Sequence, residues 1–103
     1  MSNMMSNDEI KALAEIFALC YKATNSQNDA DLGNAMVFPF QYAAQYVKRL
    51  HMLGKATPEL EDRIRKAYDR VHYVPDDMSK GVPLSQQGVW MQEFYRVKFE
   101  GAE

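Results

Sequence analysis

Apolar residues recur at helical spacing in four stretches of the chain, and no stretch alternates as a half-buried strand would. The first stretch predicts a helix over residues 8–23, with one inner stripe: Ile10, Leu13, Phe17, Cys20 and Tyr21. Ser6 and Glu9 fit a capping box at its start, in which each side chain accepts a backbone N–H of the other residue. The polar segment that follows, residues 24–34, predicts a loop.

The second predicted helix begins at Phe38-Pro39 and stops at Gly54, because proline suits a first helical turn and glycine suits a helix end. Its core face is apolar: Phe40, Ala43, Ala44, Val47 and Leu50. A second stripe lies roughly 120° away, at about 100° per residue: Tyr42, Tyr46, Arg49 and Leu53. A helix that is apolar on more than one side usually touches more than one neighbour. Tyr42, Tyr46 and Leu53 are therefore candidate partner-binding residues.

The third predicted helix has the clearest boundary signals. Thr57 is a good N-cap, Pro58 suits the first helical position, and Pro75 prevents continuation beyond Val74. One apolar stripe runs along it: Leu60, Ile64, Ala67 and Val71. Residues 75–83 then predict a loop, because they contain two prolines, two aspartates and a glycine.

The fourth predicted helix begins near Ser85, its expected cap, and continues to about Phe99. Its buried face is expected to hold Val89, Trp90, Phe94 and Val97. Together the patterns predict an all-α fold, a compact bundle of about four helices. We expect a single domain over residues 1–103, with residues 1–7 disordered.

Composition agrees with one small globular domain and narrows its chemistry. Hydrophobic residues make up 47% and charged residues 25% of the 103 residues, an ordinary balance. One tryptophan, six tyrosines, five phenylalanines and seven methionines are a large apolar supply, which suggests burial against another chain. The single cysteine, Cys20, allows no disulfide within the chain and favours a reducing, cytoplasmic compartment. No apolar segment predicts a signal peptide or a membrane span.

Residue spacing gives no sign of catalysis. His51 and His72 fall on different predicted helices, and Asp76-Asp77 lacks the ligand spacing of a calcium loop. No glycine-rich phosphate loop and no nucleophile elbow is present. We therefore expect a protein that is not an enzyme, needs no cofactor or metal, and acts by binding other macromolecules.

Basic residues are concentrated in residues 48–70, which hold seven of the twelve although the chain's net charge is −2. The candidate nucleic-acid-binding residues are Lys48, Arg49, Lys55, Arg63, Lys66 and Arg70. A solvated helix surface is the alternative. Three favourable pairs with an acid four residues earlier support it: Glu59–Arg63, Glu61–Arg65 and Asp62–Lys66. Lys48 and Arg49 also complement a helix C-terminus.

Three segments carry a resemblance to a known family: Gln87-Gly88-Val89-Trp90 within residues 83–95, Val37-Phe38-Pro39, and Phe17-Ala18-Leu19. They resemble the C-terminal helical part of the large subunit of type I-C CRISPR interference (Cascade) complexes. The sequence departs from that family where it usually has His-Gln-Arg, because Arg96-Val97-Lys98 stands there instead.

The resemblance implies a small subunit, since this family also makes its C-terminal helical part as a separate chain. Such a subunit lines a guide-RNA ribonucleoprotein in several copies, contacts its protein subunits and helps to hold guide RNA and target DNA without cutting. Two other classes stay open. One is a protein-only interaction module, such as a phage-encoded inhibitor or a regulatory adaptor, and the other is a helical homodimer formed through the partner-binding residues.

Overall fold

Five helices make up the fold, with no strand among the residues described. A computed structural model describes residues 5–77 and 80–101. The helices are α1 Asn7–Ala23, α2 Asp29–Val37, α3 Pro39–Met52, α4 Pro58–Tyr68 and α5 Leu84–Lys98. The predicted all-α class is confirmed. The count of about four is close but one short, because the segment predicted as a loop over residues 24–34 contains most of α2.

The helix that the sequence pattern misses, α2, is short and largely polar. Asn28 caps it by accepting the Asp31 N–H at 3.0 Å, and Asp29 and Asp31 place negative charge in its first turn. Only Ala35 among its nine residues is buried. A helix with so little buried surface has no strong 3.6-residue period, so its capping residues are the only local signal of its presence.

The central helix is α1, which packs against α3, α4 and α5. Eleven of its 17 residues are buried, so it is apolar around most of its circumference. Its Phe17 ring lies at the centre of an aromatic cluster, 4.4 Å from the Tyr46 ring and 5.5 Å from the Trp90 ring. The capping box is confirmed, since Ser6 Oγ accepts the Glu9 N–H at 3.1 Å and Glu9 Oε1 accepts the Ser6 N–H at 2.8 Å.

The N-terminal segment enters the fold earlier than expected. Residues 1–4 of the predicted disordered segment lie outside the described residues. Met5 is buried, and its carbonyl accepts Gln86 Nε2 at 2.6 Å. Ser6 is the N-cap of α1, and Asn7 is its first residue. Residues 5–7 are therefore an ordered part of the structure, because a cap and a buried side chain hold them.

The helix α4 begins as predicted but ends early. Thr57 Oγ1 accepts the Leu60 N–H at 3.2 Å, which confirms the cap, and the helix stops at Tyr68. The following chain crosses the N-terminal end of α1. There Glu9 Oε2 accepts the N–H groups of both His72 and Tyr73 at 2.7 Å. The capping glutamate of α1 thus also fixes this non-helical segment.

The last helix, α5, packs on α1 through Trp90, Phe94 and Val97, which are fully buried as predicted, whereas Val89 is half-buried. Its N-cap is Pro83, and no side chain caps it, so the prediction that Ser85 is the cap is wrong. Pro83 cannot donate a backbone N–H, but its carbonyl accepts the N–H groups of Gln86 and Gln87 at 3.0 Å. The N-cap therefore lies two residues earlier than the predicted cap, Ser85.

Candidate nucleic-acid and partner interface

The six predicted nucleic-acid-binding residues fall into two sets, which differ in whether their side chains form ion pairs. Lys48, Arg49 and Lys55, here called the α3 cationic end, are exposed, and none of the three has an ion pair within residues 5–77 and 80–101. The other three, Arg63, Lys66 and Arg70, are all paired with acids. Of these six residues, only those of the α3 cationic end have no compensating acid in the described part of the chain.

The backbone at the end of α3 fixes the position of Lys55. Gly54 has a positive φ of 65°, and its N–H bonds to the His51 carbonyl at 3.1 Å. The Lys55 N–H then reaches back to the Leu50 carbonyl at 3.0 Å. These two bonds form a Schellman motif, which turns the chain back over the last helical turn. Lys55 is thereby held beside the turn that carries Arg49.

Exposed apolar side chains accompany these cations. Met52 is 75% exposed and Leu53 is 49% exposed, at the last residue of α3 and at its C-cap. The adjacent His51 is also exposed. Ala44, about two turns earlier in α3, is exposed as well, so its prediction in the core face is wrong. The end of α3 is thus a mixed surface of cations and apolar groups, a combination that suits contact with another macromolecule.

The three predicted partner-binding residues differ in how far their side chains are exposed. Tyr46 is only 3% exposed, and its hydroxyl donates to Asp31 Oδ2 at 2.8 Å and shares a 3.0 Å hydrogen bond with Ser26 Oγ. Burial raises the pKa of Tyr46 to about 12, and the Asp31 carboxylate acts in the same direction. Tyr46 is therefore a core residue and not a surface for a partner, because α2 covers it. Tyr42 is half-buried, and Leu53 alone keeps a largely exposed side chain.

Two arginines, Arg63 on α4 and Arg70 just after it, connect separate parts of the fold. Arg63 Nε lies 2.8 Å from Glu15 Oε2 on α1, and its Nη2 lies 2.9 Å from Glu100 Oε2 after α5. Arg70 Nη1 lies 3.2 Å from Glu15 Oε1, and its Nη2 lies 2.8 Å from Asp8 Oδ1. The Glu15 side chain is only 13% exposed, so both arginines compensate a nearly buried carboxylate between the helices.

These ion pairs favour the charged form of each arginine by raising its pKa. The hydrogen bond to Glu100 raises the pKa of Arg63 against the opposing effect of burial, and the bond to Asp8 raises that of Arg70 in the same way. The sequence predicted Glu59 as the partner of Arg63, which is wrong, because acids from α1 and the chain after α5 reach it instead. No spacing rule within one helix could reveal partners 48 and 37 residues away.

The remaining α4 cations pair within their own helix. Lys66 Nζ lies 3.0 Å from Asp62 Oδ2, which confirms the predicted pair, and both side chains are exposed. Arg65 contacts the same Asp62 at 2.7 Å, and not the predicted Glu61. This side of α4 is a solvated surface of alternating charge, the alternative that the sequence left open.

Reactive groups in the described residues are sparse. Cys20 is buried in α1, and burial raises the pKa of its thiol to about 12, so the nucleophilic thiolate does not form near neutral pH. No cluster of three or more His, Cys, Asp or Glu side chains in the described residues could hold a metal ion.

None of the helices in residues 5–77 and 80–101 combines the length and apolar character of a bilayer-crossing segment. Comparison of the chain with known protein families, with curated proteins and with solved structures finds no match.

Proposed function

We propose that this chain is a non-catalytic binding subunit whose α3 cationic end contacts the backbone of nucleic acid within a larger protein–RNA complex. The complex that the sequence resemblance suggests is a type I-C CRISPR surveillance complex, with this chain as its small subunit. The observation that carries the proposal is that Lys48, Arg49 and Lys55 are exposed and form no ion pair with any residue that the structure describes. Phosphate contacts need cations of this kind, because their affinity comes from releasing counterions.

The small size of this cationic surface fits a supporting role. Three phosphate contacts would give a slope of log affinity against log salt of about −2 for single strands and about −3 for a duplex. Alone, such a chain would bind nucleic acid weakly. Within an RNA-guided complex that is enough, since base pairing reads the sequence and the protein holds the backbone.

The exposed Met52 and Leu53 support contact with a protein subunit next to the nucleic acid. Solvent-exposed apolar side chains beside cations resemble a protein interface, in which an apolar centre is surrounded by charged groups. The subunit would then bind the complex with the end of α3 and present its cations to the neighbouring strand.

Charge reversal at two matched pairs of residues tests the nucleic-acid contact. Lys48→Glu with Arg49→Glu changes the unpaired set, and Arg65→Glu with Lys66→Glu makes the same charge change on the exposed side of α4. Circular dichroism checks that both variants fold. In fluorescence anisotropy with single-stranded and duplex DNA at low salt, we expect the first variant to lose at least about tenfold in affinity and the second less than about threefold.

Equal losses in the two variants would mean that only net charge matters, which would contradict a site at the α3 end. Assembly provides the second test. A guide-RNA ribonucleoprotein purified with this chain should lose affinity for target DNA when the chain is omitted. Full target affinity without the chain would exclude the proposed role in the complex.

A protein-only interaction module is the second candidate, and the exposed apolar side chains favour it. Leu84 is 81% exposed and Phe99 is 59% exposed, both away from the α3 cationic end in sequence, and the net charge is −2. Such a module would bind a folded protein with little dependence on salt, whereas nucleic-acid binding would weaken steeply between low and moderate salt. A homodimer through Tyr42, Tyr46 and Leu53 has less support, because Tyr46 is buried.

A further inference from the structure

The end of α5 carries two exposed aromatic side chains on successive helical turns, here called the aromatic pair. Tyr95 is 38% exposed, and Phe99, the C-cap of the helix, is 59% exposed. Their rings are nearly parallel, with an angle of 12° between the planes and 5.9 Å between the centroids. Since one face of the Phe99 ring lies toward Tyr95, its exposed area includes the opposite face. The pair therefore presents a flat aromatic surface to the solvent.

The backbone holds this pair in position. The Phe99 N–H bonds to the Tyr95 carbonyl at 3.0 Å, and the Glu100 N–H bonds to the Val97 carbonyl at 3.1 Å. From α1, Lys22 Nζ donates to the carbonyls of Val97 at 3.0 Å and Glu100 at 3.3 Å. A lysine that bonds to the last carbonyls of a helix stabilises its end. A ligand that packs on the rings thus pays little for ordering them.

The charges around the pair are close to balanced. Lys98 Nζ lies 5.6 and 5.7 Å from the centroids of the two rings and has no ion pair with any described residue. Glu100 is already paired with two arginines, at 2.9 and 3.5 Å. Burial raises the pKa of Tyr21 below the pair, and the nearby Asp29 carboxylate acts in the same direction. One lysine is therefore free to meet an anion, but the rings must supply most of the affinity at this site.

The directions of the helices place the aromatic pair at the same end of the bundle as the α3 cationic end. Gln86 and the first turn of α3 both lie beside Met5, just before α1 begins. The rings of Tyr46 and Phe94 lie 6.1 and 5.4 Å from the ring of Tyr21, near the end of α1. Both α3 and α5 therefore run in the same direction as α1, so their C-terminal ends share one end of the bundle.

The size of the exposed aromatic surface suits one flat group rather than a folded protein. Taking about 150–250 Å² for a whole aromatic side chain, the two residues together expose roughly 200 Å². One partner in a stable protein interface contributes about 800 Å². Leu84, another exposed apolar side chain of α5, lies at the opposite end of the helix and cannot extend this surface. A nucleobase offers a matching flat face, and every base can stack on an aromatic ring.

We propose that Phe99 and Tyr95 form a stacking site for an unpaired base of single-stranded nucleic acid, with Lys98 beside the phosphate of the same nucleotide. This inference rests on the proposed function, because other phosphates of the strand would lie at the α3 cationic end. Cations alone favour a duplex, which has the higher charge density. A duplex keeps its bases paired, so stacking on this site adds affinity for single strands only.

Fluorescence anisotropy with labelled oligothymidylate at low salt tests the site. Phe99→Leu keeps an apolar side chain but removes the π-face, so it should weaken binding at least about fivefold. Phe99→Trp should bind within about twofold of wild type or more tightly. Leu84→Ala, at the other end of α5, is the matched control and should leave binding unchanged. Affinity for duplex DNA should differ by less than about twofold between wild type and Phe99→Leu.

Photochemical cross-linking gives a direct readout of stacking. Oligothymidylate with one 5-iodouracil base should cross-link to Phe99 or Tyr95, located by mass spectrometry, and wild-type protein should give this product more efficiently than Phe99→Leu. Cross-links confined to other residues would overturn the site. Unchanged oligothymidylate affinity in Phe99→Leu, with a loss for Lys48→Glu with Arg49→Glu, would overturn stacking and leave the proposed function standing. Absence of any binding by the wild type would overturn both.

Discussion

Replacing the buried Glu9 by glutamine should destabilise the protein, because its carboxylate holds two separate segments of the chain. The carboxylate accepts three backbone N–H groups, from Ser6 at 2.8 Å and from His72 and Tyr73 at 2.7 Å. Hydrogen bonds to a charged group contribute about 1.5–3 kcal/mol each. Glutamine has one acceptor oxygen, so at least one N–H loses its partner. We expect a loss of about 2 kcal/mol at neutral pH, or roughly 10 °C in melting temperature.

The pH dependence of this loss tests its cause. Burial opposes ionisation of Glu9, but the bonds from Ser6, Tyr73 and His72 outweigh it and hold its pKa below the ordinary value of 4.5. A carboxylate whose pKa is lower in the folded state stabilises fully above its unfolded pKa, and this contribution disappears as pH falls through the folded pKa. The difference between wild type and Glu9→Gln should therefore be constant near neutral pH and shrink below about pH 4.5.

Urea denaturation followed by circular dichroism, from about pH 7 to the lowest pH at which both proteins fold, measures this difference. Glu59→Gln is the matched control, because Glu59 is exposed in the first turn of α4 and has no ion pair among the described residues. It should change stability by less than about 0.5 kcal/mol. A similarly small effect for Glu9→Gln at neutral pH, or an effect independent of pH, would refute the role assigned to the carboxylate.

Three further predictions concern other parts of the fold. Arg63→Ala should cost about 1–2 kcal/mol in urea denaturation because it removes the link between Glu15 and the chain after α5, whereas Lys66→Ala should leave the midpoint almost unchanged. Gly81→Ala should destabilise by about 1 kcal/mol, since its new Cβ would lie 2.5 Å from Val37 Cγ1 in a side chain with little rotational freedom. Cys20 should react with iodoacetamide at least about a hundredfold more slowly in native protein than in urea, measured by mass spectrometry, because its pKa is raised to about 12.

The sequence predicted those helices that bury a continuous stripe of apolar side chains. The helices α1, α4 and α5 bury most of the apolar positions that the sequence predicted, and the caps at Ser6 and Thr57 are both present. The helix α2 was missed because it buries one residue and is held by its cap and by its contacts with α3. A local apolar pattern indicates a helix only through the residues that the helix buries. A helix such as α2, which lies over the core and buries almost no side chain, therefore has no clear pattern.

The candidate site could be predicted only in part, because its residues have partners in the missed helix and in distant parts of the chain. Tyr46 looked like a surface residue because its acceptor, Asp31, belongs to the missed helix. Arg63 looked free or locally paired because Glu15 and Glu100 reach it from distant parts of the chain. The position of the aromatic pair beside the α3 cationic end depends on the shared direction of α3 and α5, which no helical period determines.

The position of the acids explains why the α3 cationic end stays unpaired. No aspartate or glutamate occurs in residues 32–58, so Lys48 and Arg49 have no acid at a spacing of three or four. Glu59 stands four residues after Lys55, but Lys55 lies before the start of α4, so the two do not share a helix face. By contrast, four acids lie in residues 59–69, among the basic residues of α4. Uncompensated charge thus requires two conditions, a stretch free of acids and no distant acid that folding brings near. The α3 end meets both within the described residues, and a surface that keeps three exposed cations without compensation is suited to an anionic partner.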